Sequence, residues 1–134
     1  MSKSSPDVQS RILLTDDFGR IQSKIRSAVT DSQPGITFDP ENRPGVSNII
    51  TILATCTNKS PEEVAQLYSG KGHAQLKGDT AEAIEALMRR PREEFQRLKL
   101  EQSYLEEIAK SGARRGREIS EKTMALVRSQ IGLA

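Results

Sequence analysis

An all-α bundle of five to seven helices behind a short loop-and-strand preface is what this 134-residue sequence predicts. Three observations carry it. Apolar residues recur at helical spacing along most of the chain. Helix start and stop residues punctuate those stretches. The composition, 35% hydrophobic, 28% charged and only 4% aromatic, suits a surface-rich helical protein.

The elements follow in order. Residues 1–9 are small and polar with a proline, and read as a loop. Ile12, Leu13 and Leu14 make a short apolar run that allows a strand at 11–15, although no other segment offers it a pairing partner. Asp16 or Asp17 caps a helix whose stripe is Phe18, Ile21, Ile25, Ala28 and Val29, with Lys24 and Arg26 directed elsewhere. Pro34, Gly35, Pro40, Pro44 and Gly45 mark residues 31–45 as a loop, long enough to have a role of its own. Residues 46–57 are the most apolar stretch and read as a buried helix, though their β-branched content also permits a strand. Ser60-Pro61-Glu62-Glu63 spells a capping box, followed by a buried face of Val64, Leu67 and Tyr68 and a stop at Gly70. Gly70, Gly72 and Gly78 frame a loop. Asp79 then opens a helix with Ile84, Leu87 and Met88, which Pro91 must kink or break before the stripe resumes at Phe95 and Leu98. A short helix over 103–111 ends near Gly112, and a last one carries Ile119, Met124, Leu126, Val127 and Ile131.

Composition excludes several function classes. Few aromatics and no tryptophan argue against a base-stacking sheet. A lone cysteine, Cys56, excludes a disulfide framework and a cysteine zinc site, and its apolar run makes it a buried structural thiol. No metal site is expected: the single histidine, His73, has no second ligand nearby and reads as a loop or packing residue. Asp16 and Asp17 are adjacent and would point apart on a helix, so they are caps rather than an acid–base pair. No apolar run approaches a membrane span of about 20 residues, and no secretory leader is visible.

Charge is unevenly distributed. Residues 1–88 carry a net −2 and residues 89–134 a net +4, so the last third is the better candidate for a polyanion face. Arg89, Arg90, Arg92, Arg97 and Lys99 flank Pro91, and Arg114, Arg115, Arg117, Lys122 and Arg128 lie on or just before the last helix. Arg115, Lys122 and, less closely, Arg128 fall near one face. With Arg90 they are the candidate RNA-binding residues, set among glutamates that would otherwise make this a solvated surface.

The order of segments adds to this reading. Leu14-Thr15-Asp16-Asp17, Ala28-Val29-Thr30-Asp31-Ser32, Arg43-Pro44-Gly45-Val46-Ser47-Asn48 and Tyr68-Ser69-Gly70-Lys71-Gly72 follow one another. Together they resemble the C-terminal portion of the tryptophanyl-tRNA synthetases of bacterial and organellar type, over essentially the whole chain. Met1-Ser2-Lys3-Ser4 then matches the last four residues of the KMSKS signature of class I synthetases. The resemblance implies a family that activates tryptophan with ATP and Mg2+, charges its tRNA, and works as a homodimer in the bacterial cytoplasm or mitochondrial matrix. It implies that Ser2, Lys3 and Ser4 contact ATP, with Lys3 catalytic through the polyphosphate charge. Ser5 stands where an acidic residue is usual, and the signature's first lysine has no counterpart.

Residues 1–16 would then be the KMSKS loop and strand remnant of a Rossmann domain, and 17–134 the helical anticodon-binding domain. Neither a HIGH-type motif nor a nucleotide-binding sheet can be read here, so the resemblance implies that this chain alone makes no tryptophanyl adenylate. No membrane or DNA partner is expected. The other reading is a stand-alone helical tRNA-binding or protein-interaction module without catalysis.

Overall fold

The computed structural model describes residues 7–133. Among them are a 3-10 helix at Val8–Ser10 and five α-helices, α1 (Phe18–Ser27), α2 (Pro44–Thr57), α3 (Pro61–Leu67), α4 (His73–Leu100) and α5 (Gln102–Gln130), with no strand. The chain divides into two compact units, one ending at Arg92 and the other beginning at Glu93.

The strand expected at 11–15 does not form. The Leu13 N–H donates to the Asp16 carboxylate at 2.8 Å, and the Asp16 N–H donates to the Leu13 carbonyl at 3.0 Å. That closes a turn, and the Lys24 ammonium satisfies the Arg11 carbonyl at 3.0 Å. The backbone groups that a lone strand would have left unpaired are therefore met locally. Asp17 is the cap of α1, accepting from the Arg20 N–H at 2.8 Å. Asp16 is instead 2% exposed and paired with Lys24 at 2.5 Å. Lys24 is itself buried, against the expectation that it points away from the core. Burial works against the Asp16 carboxylate, but the Leu13 N–H and the Lys24 ammonium outweigh it and hold its pKa below the ordinary value.

Helix α2 is the centre of the first unit. Pro44 occupies its first turn, where the missing N–H costs nothing, and Asn58 ends it in the left-handed region at φ 54°. Its buried residues Val46, Ile49, Ile50, Leu53 and Ala54 recur at three- and four-residue steps. They pack with Ile36, Val64, Tyr68 and Leu76. A second cluster joins Ile21 and Ile25 of α1 to Ala81 and Ile84 of α4, with Ile12, Ile52, Cys56 and Met88 beside it. Each fully buried aliphatic contributes about 1.5–3 kcal/mol. The α2 threonines are compatible with helix because Thr51, Thr55 and Thr57 donate their hydroxyls to carbonyls four residues earlier. Cys56 is half-buried rather than fully enclosed, and burial pushes its thiol up.

The capping box of α3 forms as read, with Ser60 accepting from the Glu63 N–H and Glu63 accepting from the Ser60 N–H. Val64 and Tyr68 are buried, but Leu67 is 56% exposed. The Tyr68 hydroxyl donates to Asp79 at 2.6 Å. Phe18 and Val29, expected in the core, are also exposed, because the α1 stripe buries only Ile21 and Ile25 fully.

Helix α4 starts at His73, six residues before the expected Asp79. Leu76 is wholly buried there, and the Thr80 hydroxyl donates back to its carbonyl at 2.6 Å. That packing outweighs the flanking glycines. Pro91 lies inside α4 and does not break it. Its ring removes one N–H from the ladder, and the neighbouring Arg92 anchors that turn by donating to the Asp16 carbonyl and to Glu85, both at 2.5 Å. In the second unit, α5 runs through Gly112 as a single helix where two were expected. One glycine costs a helix interior only about 1 kcal/mol, which the flanking helix formers absorb.

The loop between α1 and α2 is organised by one residue. Arg43 is 5% exposed, and its guanidinium grips Asp31 with both edges, Nε to Oδ2 at 2.9 Å and Nη2 to Oδ1 at 2.7 Å. It also donates to Thr37 Oγ1 at 2.8 Å and to the carbonyls of Gln33 and Gly35 at 3.2 and 3.1 Å. Gly35 turns its carbonyl inward through φ +78°, a conformation that a side chain would strain. His73 Nε2 stands 3.4 Å from the same guanidinium, so it is a packing residue of this knot. Where α2 starts, Gly45 lies against the backbone of Val29 and Thr30.

Candidate nucleic-acid interface

The basic residues of the last third fall into two groups once their partners are known. Arg89 and Arg92 pair with Glu85, Arg97 with Glu94 and Glu101, and Lys110 with Glu106. These cations already have carboxylate partners within the chain. Arg92 is the most embedded of them, its side chain 12% exposed.

Arg115 and Lys122 are different. Both are exposed on α5, a helix with no buried residue, and neither has a hydrogen-bond or ion-pair partner among the described residues. Seven residues apart, they lie within about 20° of each other around the helix. Ile108 continues the row by another seven, and Leu105, Ile119 and Leu126 form an exposed apolar row beside it. Arg128 does not join them. It is turned about 120° from Lys122 and stands 3.6 Å from Glu121. Arg90 is exposed on α4 in the first unit, so it is considered apart from the α5 pair. Ser2, Lys3 and Ser4 lie outside the described residues.

Among the described residues no three His, Cys, Asp or Glu side chains gather as a metal site, and no helix is long and apolar enough to cross a membrane. The surface offers a cationic row on a regular helix. Such an arrangement is chemically suited to a phosphate backbone, with an arginine plane available for a base. Sequence reasoning missed the Arg43–Asp31 knot, because its partners are 12 residues apart in a loop and nothing local marks them as a pair.

The knot joins two of the sequence segments quoted above, Ala28–Ser32 and Arg43–Asn48. The family model for tRNA synthetases class I (W and Y) matches residues 1–89, which contain both. The chain belongs to this synthetase family. It is 37% identical over 134 residues to a tryptophan–tRNA ligase of Bacillus anthracis, covering 100% of this chain and 40% of the relative. With the Corynebacterium efficiens tryptophan–tRNA ligase it shares 39% identity over 132 residues, covering 98% of this chain and 38% of the relative. The crystal structure of tryptophanyl-tRNA synthetase from Mycoplasma pneumoniae superposes with a TM-score of 0.73 at 29% identity, covering 100% of this chain and 41% of that one. The chain thus spans about 40% of the length of the curated relatives it matches. Within the synthetase family, the resemblance read from the sequence and the all-helical fold are both borne out.

Proposed function

We propose that this chain is the C-terminal, tRNA-binding portion of a class I tryptophan–tRNA ligase, which activates tryptophan with ATP and charges its tRNA. One observation supports the reading above the others: the relatives that match along essentially the whole chain are tryptophan–tRNA ligases. Residues 17–134 serve as the anticodon-binding domain, and residues 1–16 carry the ATP loop. Lys3 neutralises polyphosphate charge when a catalytic domain places ATP and Mg2+ beside it, with Ser2 and Ser4 holding the loop. The assembled enzyme is a homodimer of the bacterial cytoplasm or the mitochondrial matrix. Arg115 and Lys122 follow tRNA phosphates, with Arg90 as a lesser contributor.

A salt titration tests the phosphate role. Wild-type affinity for tRNA falls steeply with salt. Arg115→Glu with Lys122→Glu lowers affinity about tenfold or more at low salt and reduces the magnitude of the logarithmic salt slope by roughly two. Both residues are exposed and unpaired, so the double variant keeps the wild-type circular-dichroism melt. Unchanged affinity and slope would remove this face from the interface.

A further inference from the structure

A cleft of about 420 Å³ lies between α1 and α4 in the first unit, lined by Gln22, Arg26, Ala74, Lys77 and Gly78. Gln22 and Arg26 stand one turn apart on α1, and Ala74 and Gly78 one turn apart on α4. The helices are tied beside the cleft by Lys77, whose ammonium donates to the carbonyls of Arg26 and Ala28 at 3.1 and 2.7 Å. These are terminal carbonyls of α1, where a cation is favoured.

Gly78 is the informative residue. It sits inside a long helix, where glycine costs stability. Its backbone is not in the left-handed region, and a Cβ built on it meets nothing within 4 Å. Neither conformation nor packing calls for a glycine there. What its missing side chain does provide, with Ala74, is an open cleft floor without bulky side chains. Across the cleft from that floor are Gln22 and Arg26, both exposed and neither with a side-chain partner among the described residues. A carboxamide presents one donor and one acceptor edge, and a guanidinium presents a planar cation. An open apolar floor, an amide and a planar cation are what an unstacked nucleobase needs: room beside an apolar surface, an edge reader and a stacking partner.

From this juxtaposition we propose that the α1–α4 cleft receives an unpaired base of the tRNA anticodon, with Gln22 reading its edge and Arg26 stacking on it. The inference rests on the tRNA-binding reading above and adds to it a site on the opposite unit from the α5 cations. Gly78 acts by leaving the floor open.

The test uses the full 134-residue chain, with Gly78→Leu to fill the floor and Gln22→Ala to remove the edge reader. The probes are tRNA with a tryptophan anticodon and the same tRNA with one anticodon base changed. Gly78→Leu keeps or raises thermal stability, since leucine is a strong helix former in open space. At the same time it loses about tenfold of its affinity for the cognate tRNA, the scale of one stacked base, and leaves the mismatched tRNA unaffected. Gln22→Ala, at an exposed side chain with no internal bond, lowers discrimination in the same direction and decides the matter if the leucine disturbs folding. Both variants keep the wild-type salt slope. Discrimination equal to wild type in a folded Gly78→Leu and in Gln22→Ala overturns the cleft assignment alone. A wild-type chain that fails to distinguish the two tRNAs overturns anticodon reading by this chain, and the cleft with it.

Discussion

Gly45→Ala should be the most destabilising glycine-to-alanine replacement in this fold. The new Cβ would fall well inside the contact distance of the Val29 carbonyl oxygen, 3.1 Å from its carbonyl carbon and 3.3 Å from Thr30 Cα. All three are backbone atoms, so no side chain can swing away. The segment that would have to yield leads into Asp31, and Arg43 holds Asp31 with two hydrogen bonds. Alanine's better helix propensity returns at most about 1 kcal/mol. The net loss should be on the order of 3 kcal/mol by urea denaturation, a large part of a marginal domain's stability. Gly78→Ala is the internal comparison. The same methyl meets open space there, and should raise stability by about 0.5–1 kcal/mol.

The second large effect comes from Arg43. Its guanidinium holds four different residues of the loop at once: Asp31, Gln33, Gly35 and Thr37. Replacing it with methionine leaves those acceptors without their donor and should cost on the order of 3 kcal/mol. Lysine should recover only part of this, because one ammonium cannot reproduce the two-edged grip on a carboxylate. The same contact has a pH signature. Hydrogen bonds from Arg43 outweigh desolvation and, with the Gln33 N–H, hold the Asp31 carboxyl down to about 2, against an ordinary 3.8. A folded-state pKa below the unfolded one gives stability that is complete above the unfolded value. It is lost as pH falls from about 4 towards about 2. Urea midpoints across that window should fall more steeply in wild type than in Asp31→Asn, which should start lower at neutral pH.

The helical class and the placement of α2 and α3 were legible because their signals are local. Ser60 and Glu63 are three residues apart, and the apolar positions of α2 keep one spacing throughout. Errors arose where a distant contact outweighed a local signal. Gly72 and Gly78 marked a loop, yet Leu76 is buried between them and holds a helix. Lys24 looked solvent-facing by its charge, but Asp16 neutralises it in the interior. Ile12–Leu14 had strand propensity, and the Asp16 carboxylate captured a backbone N–H that a strand would have needed. On the candidate interface, the seven-residue spacing of Arg115 and Lys122 was readable from the sequence alone. Arg128 was over-read: a step of six leaves it on another side, next to Glu121. The cleft above Gly78 was invisible, because it exists only where α1 meets α4.

In the proposed function the helices are a scaffold that presents tRNA contacts to a ligase. The most direct measurement is the affinity of the intact chain for tRNA bearing a tryptophan anticodon, compared at one salt concentration with the same tRNA after a single anticodon change. The account predicts tighter binding of the first by roughly tenfold, the scale of one or two specific base contacts. Equal affinity for both, or no measurable binding to either at low salt, would contradict it.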